Sequence, residues 1–139
     1  MRLKHPEAQR IKDKVAIVTG GGGNPSIGRS IALRFAAEGA KVAILDVDVA
    51  GAEAVAAEIA ADGGVAAAFA CDVLDMAQVE AVAKDVATLW NGHIDILVNN
   101  AAIYKGMGGF RPFDEWTSEE WDRTMAVNVK GCWNCAKAV

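Results

Sequence analysis

The stretch KVAIVTGGGGNPSIGRSI, residues Lys14 to Ile31, decides the fold. Val15, Ile17 and Val18 make a short apolar β-branched run that stops at Thr19. Four glycines, Asn24-Pro25 and Ser26 follow, and Ile27, Ile31 and Phe35 then recur at helical spacing. This is strand, glycine turn, helix. Such a turn uses glycine because the backbone must bend sharply and approach an anion with no Cβ in the way, while the first N–H groups and positive dipole end of the helix face it. The stretch therefore proposes a nucleotide diphosphate site, although glycine turns also serve as plain connectors. Asp46 strengthens the proposal: it closes the next apolar run, KVAILDVD, eighteen positions after Gly28. An acid about 20 residues on meets the ribose hydroxyls in dinucleotide-binding units.

Composition sets the outer bounds. A chain of 139 residues, 53% hydrophobic, is one domain with ample material for a core. Its 14 basic and 18 acidic side chains are interspersed and give a net charge of −4, so no basic stripe is offered to a nucleic acid. No apolar run approaches the roughly 20 residues of a membrane span, and MRLKHPEAQRIKD lacks the apolar core of a secretory signal. A cytoplasmic protein with no membrane partner is expected. Three cysteines, two of them in what reads as one helix, do not suggest a disulfide framework, and no metal is expected.

Along the chain, Met1 to Asp13 is polar and is expected to be a flexible arm before a domain spanning residues 14–139. Strands are expected at Lys14 to Thr19, Lys41 to Asp46, Val65 to Ala70 and His93 to Asn99. Helices are expected from Ile27 to about Glu38, Val49 to Ala61 and Asp75 to Asn91, each stopped by glycine. After a loop carrying Gly106, Gly108, Gly109 and Pro112, a capping box Thr117-x-x-Glu120 opens the last helix. On that helix Trp121, Met125, Asn128, Cys132 and Cys135 are expected to share one seam. Strands alternating with helices predict right-handed crossovers and a Rossmann-like, doubly wound parallel sheet in three α/β/α layers, of strand order 3-2-1-4. Ligands then bind beyond the carboxyl ends of the strands, between strands one and four, and the glycine loop, Asp46, Asp72 and Asn99 all fall at such ends.

Read in order, VTGGGG with SIG, LDVD, CDV, ILVNNAA and WDRTMAVNVKG resemble the N-terminal, cofactor-binding portion of a short-chain dehydrogenase/reductase. The resemblance implies a nicotinamide dinucleotide, NAD in preference to NADP, and an alcohol or ketone as the small-molecule substrate of a complete form. It implies that Gly20, Gly22, Ser26 and Gly28 shape the pyrophosphate turn and that Ile27 adds backbone contact. Asp46 would accept from the adenosine ribose hydroxyls, Asp72 and Val73 would flank the adenine, and Asn99 and Ala101 would line the nicotinamide side. Asn128 would hold a water in the proton relay of the catalytic lysine.

This sequence departs from the family pattern in three places. The glycine turn is lengthened by Asn24-Pro25 and has Ser26 where a glycine is usual, as in enoyl reductases of the same superfamily; Asn99-Asn100-Ala101-Ala102 resembles the ordinary dehydrogenase signature, and Ala102 replaces its last glycine. The family's catalytic serine and Tyr-x-x-x-Lys are absent, since the single tyrosine, Tyr104, is followed at +4 by Gly108. The expectation is therefore the cofactor-binding part of an enzyme, with a truncated non-catalytic dinucleotide-binding or subunit-association module as the alternative. A methyltransferase shares the sheet but normally carries an acid where this chain has Thr19.

Plainer roles stand beside these. Asp46 could be a strand-end turn former, Asp72 a helix cap and Asn128 a buried structural amide. Cys132-x-x-Cys135 reads as core packing and His93 as surface. Strand four is apolar on both faces and the last helix carries an uncovered seam. Self-association into a homo-oligomer through these two elements is therefore expected.

Overall fold

Every residue of β1 (Val15–Thr19) is buried, as a strand covered on both faces requires. The computed structural model describes residues 9–90, 92–104 and 112–139. The expected arm over residues 1–8, Asn91 at the stop of the third helix, and the loop glycines Gly106, Gly108 and Gly109 lie outside them. Around β1 the chain runs α1 (Ile27–Ala37), β2 (Lys41–Asp46), α2 (Val49–Ala61), β3 (Val65–Ala70), α3 (Met76–Leu89) and β4 (Ile96–Val98). A 3-10 turn over Phe113–Glu115 precedes α4 (Ser118–Met125), which passes through a π turn (Ala126–Lys130) into α5 (Gly131–Ala138).

The four strands form one parallel sheet of order β3-β2-β1-β4, the order the alternating pattern predicts. Period-two alternation divides its residues between two cores. Val18, Val42 and Ile44 face α1 and α2, meeting Ala32, Ala52, Val55 and Ile59; Val15, Ile17, Ala43 and Leu45 face α3 and α5, meeting Val79, Val82, Val86 and Cys135. The buried positions of α1 are the small Gly28 and Ala32, which let that helix close on the sheet, while Ile27 faces outward.

Helix ends follow their local chemistry. Ser26, Asp48 and Asp75 accept from the N–H groups of Arg29, Gly51 and Gln78, and Gly39 and Gly63 turn the chain out of α1 and α2 at positive φ. Thr117 and Glu120 make the expected capping box, each side chain accepting from the other's backbone N–H.

Three expectations differ from what is observed. Residues 9–13, read as part of the arm, are held: Asp13 N donates to Gly39 O at 3.0 Å, Arg10 pairs with Glu38, and Ile11 packs on the α1/α2 core. β4 is three residues long rather than seven. Asp95 N still donates to Val15 O at 2.9 Å, but the Asp95 carboxylate turns back to accept from Val15 N at 2.9 Å and the strand begins only after it. The last helix has no single seam. The Gly131 N–H reaches back five residues to Ala126 O, and the extra residue turns Cys135 into the core while Trp121 and Met125 remain exposed.

Candidate functional site

The carboxyl ends of β1, β2 and β4 meet the N-terminus of α1, and the polar groups gathered there are tied together before any ligand is considered. Thr19, buried at the end of β1, is the knot. Its hydroxyl donates to Val98 O at 3.3 Å and accepts from the N–H groups of Asn100 and Ala101, each at 3.0 Å. Asn100 returns the contact, its amide nitrogen donating to Thr19 O and Gly20 O at 2.9 Å each. The end of β4 is thereby fixed against the glycine turn.

That packing explains two of the glycines. A Cβ on Gly20, which has φ +67°, would lie 2.7 Å from Ala101 Cα, and one on Gly28 would lie 2.5 Å from both the Asn100 amide nitrogen and Gly20 O. Within the chain itself, the close approach that demands glycine at these two positions is that of the glycine turn to the residues after β4. Gly22 sits equally tightly between Asp48 O and Ala52 N, each 2.9 Å from where a Cβ would be.

Asp46, at the end of β2, accepts from Gly22 N at 2.7 Å through one oxygen and from Asp48 N at 3.0 Å through the other. The ligand-facing and turn-forming roles considered for it are compatible, because a carboxylate has about four acceptor positions and these bonds use two. They also fix its orientation beside the turn. Ser26 caps α1, so the other N–H groups of that helix's first turn, which no helix satisfies internally, remain at the glycine turn.

Next along the sheet edge, Cys71 N donates to Asp46 O at 3.0 Å and opens the turn into α3. Asp72 is exposed and does not cap that helix; Asp75 does. Asp72 accepts instead from Leu74 N at 2.9 Å, and its own N–H is bonded by Gln78. The Val73 side chain lies in the core, so only its main chain is available to a ligand. Burial holds the Cys71 thiol at a pKa of about 11, with Cys135 and the charges of Asp72 and Asp75 adding to the shift.

On the β4 side Asn99 is exposed, Ala101 is partly buried and Tyr104 is exposed. Asn128, in the π turn, uses both ends of its amide on one residue: Ile103 N donates to its Oδ1 at 2.9 Å, and its Nδ2 donates to Ile103 O at 3.1 Å. Cys132 donates its thiol to Asn128 O at 3.2 Å, and Cys135 is buried. His93, at the surface as expected, lies 3.4 Å from the Asp95 carboxylate. The structure thus brings Gly20, Gly22, Ser26, Ile27, Gly28, Asp46, Asp72, Asn99 and Ala101 to one edge, and sets Val73 and Asn128 behind it.

Two residues with structural roles at this edge were not singled out from the sequence, Asn100 and Asn134. Asn134 is buried on α5 and donates to Val73 O at 2.8 Å. Neither gives a local signal, because each is an asparagine whose partners lie some 60 to 80 residues away. A groove of about 540 Å³ lined by Pro25, Ser26, Ile27, Ile31, Arg34 and Phe35 runs along α1 from its N-terminus. Among the described residues no group of three or more His, Cys, Asp or Glu is placed to hold a metal, and no helix is long and apolar enough to cross a membrane.

An acceptor pair at the end of β2, helix N–H donors beyond β1 and an exposed amide beyond β4 form a set of donors and acceptors that fits a dinucleotide laid across the edge. Comparison with known proteins agrees. Residues 14–139 match the family model described as short chain dehydrogenase. The chain is similar to the D-threitol dehydrogenase of Mycolicibacterium smegmatis, with 42% identity over 94% of this chain and 47% of that protein. It is 45% identical to the galactitol 2-dehydrogenase of Agrobacterium fabrum over the same shares. It thus spans about half the length of these curated relatives. Among solved structures, a metagenomic short-chain oxidoreductase in complex with NADP superposes with a TM-score of 0.80 at 36% identity, covering 92% of this chain and 55% of that one. The citronellol catabolism dehydrogenase of Pseudomonas aeruginosa gives 0.82 at 29% identity, covering 93% and 50%.

Proposed function

We propose, from the premise that this chain belongs to the short-chain dehydrogenase family, that it is the dinucleotide-binding portion of an oxidoreductase that moves a hydride between a nicotinamide cofactor and an alcohol or ketone. The observation that carries this is Asp46, held by the N–H groups of Gly22 and Asp48 at the edge where the glycine turn meets α1. The cofactor supplies the hydride acceptor. The chain's own residues would bind and orient it. The α1 N-terminus and the glycine turn face the pyrophosphate, Asp46 accepts from the adenosine ribose hydroxyls, Asp72 and the Val73 main chain flank the adenine, and Asn99 and Ala101 border the nicotinamide ribose. Asn128, with its amide committed to Ile103 and its backbone carbonyl accepting from the Cys132 thiol, holds the β4 loop in place beside the proposed relay.

NAD is the preferred cofactor. A fixed carboxylate repels the 2′-phosphate of NADP, and the adjoining Asp48 adds a second negative charge rather than a compensating positive one. The solved relative with NADP bears on the family's general ligand and not on this position. The names of the sugar-alcohol dehydrogenases among the relatives make polyols the first substrates to test.

A homo-oligomer is the expected assembly. Trp121, Met125, Val129 and Trp133 follow one another at intervals of four and are all exposed, from 39% at Met125 to 57% at Trp133. In an uninterrupted α-helix twelve residues would leave Trp121 and Trp133 about 120° apart, but the added residue of the π turn withdraws about 100° and brings them into line. Antiparallel pairing with a second copy would set Trp121 against Trp133 and Met125 against Val129. It would also bring the acidic first half, where Glu119, Glu120 and Asp122 outnumber Arg123, against Lys130 and Lys137. β4, which pairs with β1 alone among the described strands, is the other candidate contact.

Amide hydrogen exchange with and without NAD tests the site. Slowed exchange confined to the glycine turn, the 46–48 turn, the 71–74 turn and the 99–101 segment is expected. Slowing elsewhere, or none, would overturn the assignment.

A further inference from the structure

The last helix reaches the cofactor edge at both ends, and its contact at the adenine side lies outside every role considered above. Asn134 is 1% exposed on α5, and its amide nitrogen donates to Val73 O at 2.8 Å and Leu74 O at 3.4 Å. One turn earlier Gly131 presses on the same place: a Cβ there would lie 2.6 Å from Val73 Cγ2. Two independent contacts from one helix face thus seat the 71–74 turn. That turn opens at Cys71, whose N–H is bonded to Asp46 O, so it continues the strand end that carries the ribose-facing acid. With the pyrophosphate at α1 beyond β1 and the ribose at the end of β2, the next group outward along the sheet order is the adenine, over β3 and this turn.

We propose that Asn134 is a positioning residue for the adenine end of the crevice. This rests on the dinucleotide reading above. Asp72 itself is held by local bonds, with Leu74, Asp75 and Gln78. What sets the depth of the turn against the core is the α5 contact on the carbonyls of residues 73 and 74. Asn128, six residues earlier in the same helical run, holds Ile103 on the β4 side by the same kind of amide-to-backbone bond. One helix therefore fixes the spacing between the two ends of the ligand, and the two asparagines govern different ends.

The test uses the 139-residue chain, with AMP and nicotinamide mononucleotide as separate probes followed by ligand titration in NMR. Asn134→Leu keeps the volume and removes the donor. AMP affinity should fall by about tenfold, the scale of one lost hydrogen bond, with nicotinamide mononucleotide unchanged within about twofold. Gly131→Ala leaves the amide in place and displaces Val73, and the same adenine-selective loss is expected; this result decides alone if the leucine variant does not fold. Equal weakening of both probes, or of neither, overturns the proposal, because a purely structural residue does not distinguish the two halves. If the native chain binds neither probe, the dinucleotide reading falls first and this inference falls with it.

Discussion

Thr19 and Asn100 close on each other at the carboxyl edge of the sheet: the Asn100 N–H donates to the Thr19 hydroxyl at 3.0 Å while the Asn100 side-chain amide donates to the Thr19 carbonyl at 2.9 Å. One residue ends β1 and the other follows β4, so the pair joins two parallel strands just where their ladder stops. Thr19→Val keeps the shape and removes the acceptor that serves the N–H groups of both Asn100 and Ala101. A loss of about 1–3 kcal/mol in urea unfolding is expected, with Thr19→Ser restoring most of it. A neutral valine variant would show that the hydroxyl does not organise this edge.

Acid should loosen the other end of the same strand pair. The hydrogen bond from Lys14 holds the Asp95 carboxyl below the ordinary carboxylate range, aided by the Val15 N–H and the charges of Lys14 and His93, against a smaller opposing effect of burial. A folded-state pKa below the unfolded one contributes stability that is present above the ordinary value near pH 4 and is lost as pH falls through the folded one. The stability gap between native chain and Asp95→Asn should therefore be widest near neutrality and shrink below about pH 4. Denaturation midpoints across that range decide the matter, and a gap of constant size would contradict it.

The purified 139-residue chain should not oxidise secondary alcohols or polyols above background. Positioned proton transfer contributes about 10²–10⁴-fold, and the family's Tyr-x-x-x-Lys is not in this sequence. Tyr104, exposed after β4, has no lysine four residues on. Cofactor-dependent NADH formation by this polypeptide would refute the expectation and direct attention to Tyr104.

How much of this was legible beforehand depends on the range of the interaction. β2, α2 and β3 fall where the pattern places them to the residue, because a buried parallel strand and an Ala-rich helix each carry their own period and stop signal. β4 does not. Its apolar run continues from His93, but its start is set by the Asp95 carboxylate reaching across to β1. Asn99 and Asn100 are the sharper case: adjacent residues of an extended segment point to opposite sides, so which asparagine turns toward Thr19 depends on the register of Val98 against Val18, which no local pattern encodes. The last helix departs from its sequence pattern for a related reason. A seam counted in threes and fours assumes an unbroken α-helix, and the π turn at Ala126–Lys130 shifts every later position.

Self-association follows from that same shift. At micromolar concentration the chain should sediment above monomer mass. Trp121→Glu with Trp133→Glu should return it toward monomer, since both lie on the exposed face and each buried indole is worth a few kcal/mol. A native chain that sediments as a monomer, with no dye-accessible apolar surface, would remove both the last helix and the β4 edge as contacts.

The central claim is that Asp46 makes this edge an NAD site. Titration calorimetry of the native chain and of Asp46→Ala with NAD and with NADP tests it in one experiment. The account predicts tighter binding of NAD by the native chain, by about tenfold or more, and a ratio that collapses in the alanine variant as NAD weakens and NADP loses its repulsion. Equal or tighter binding of NADP by the native chain would contradict it.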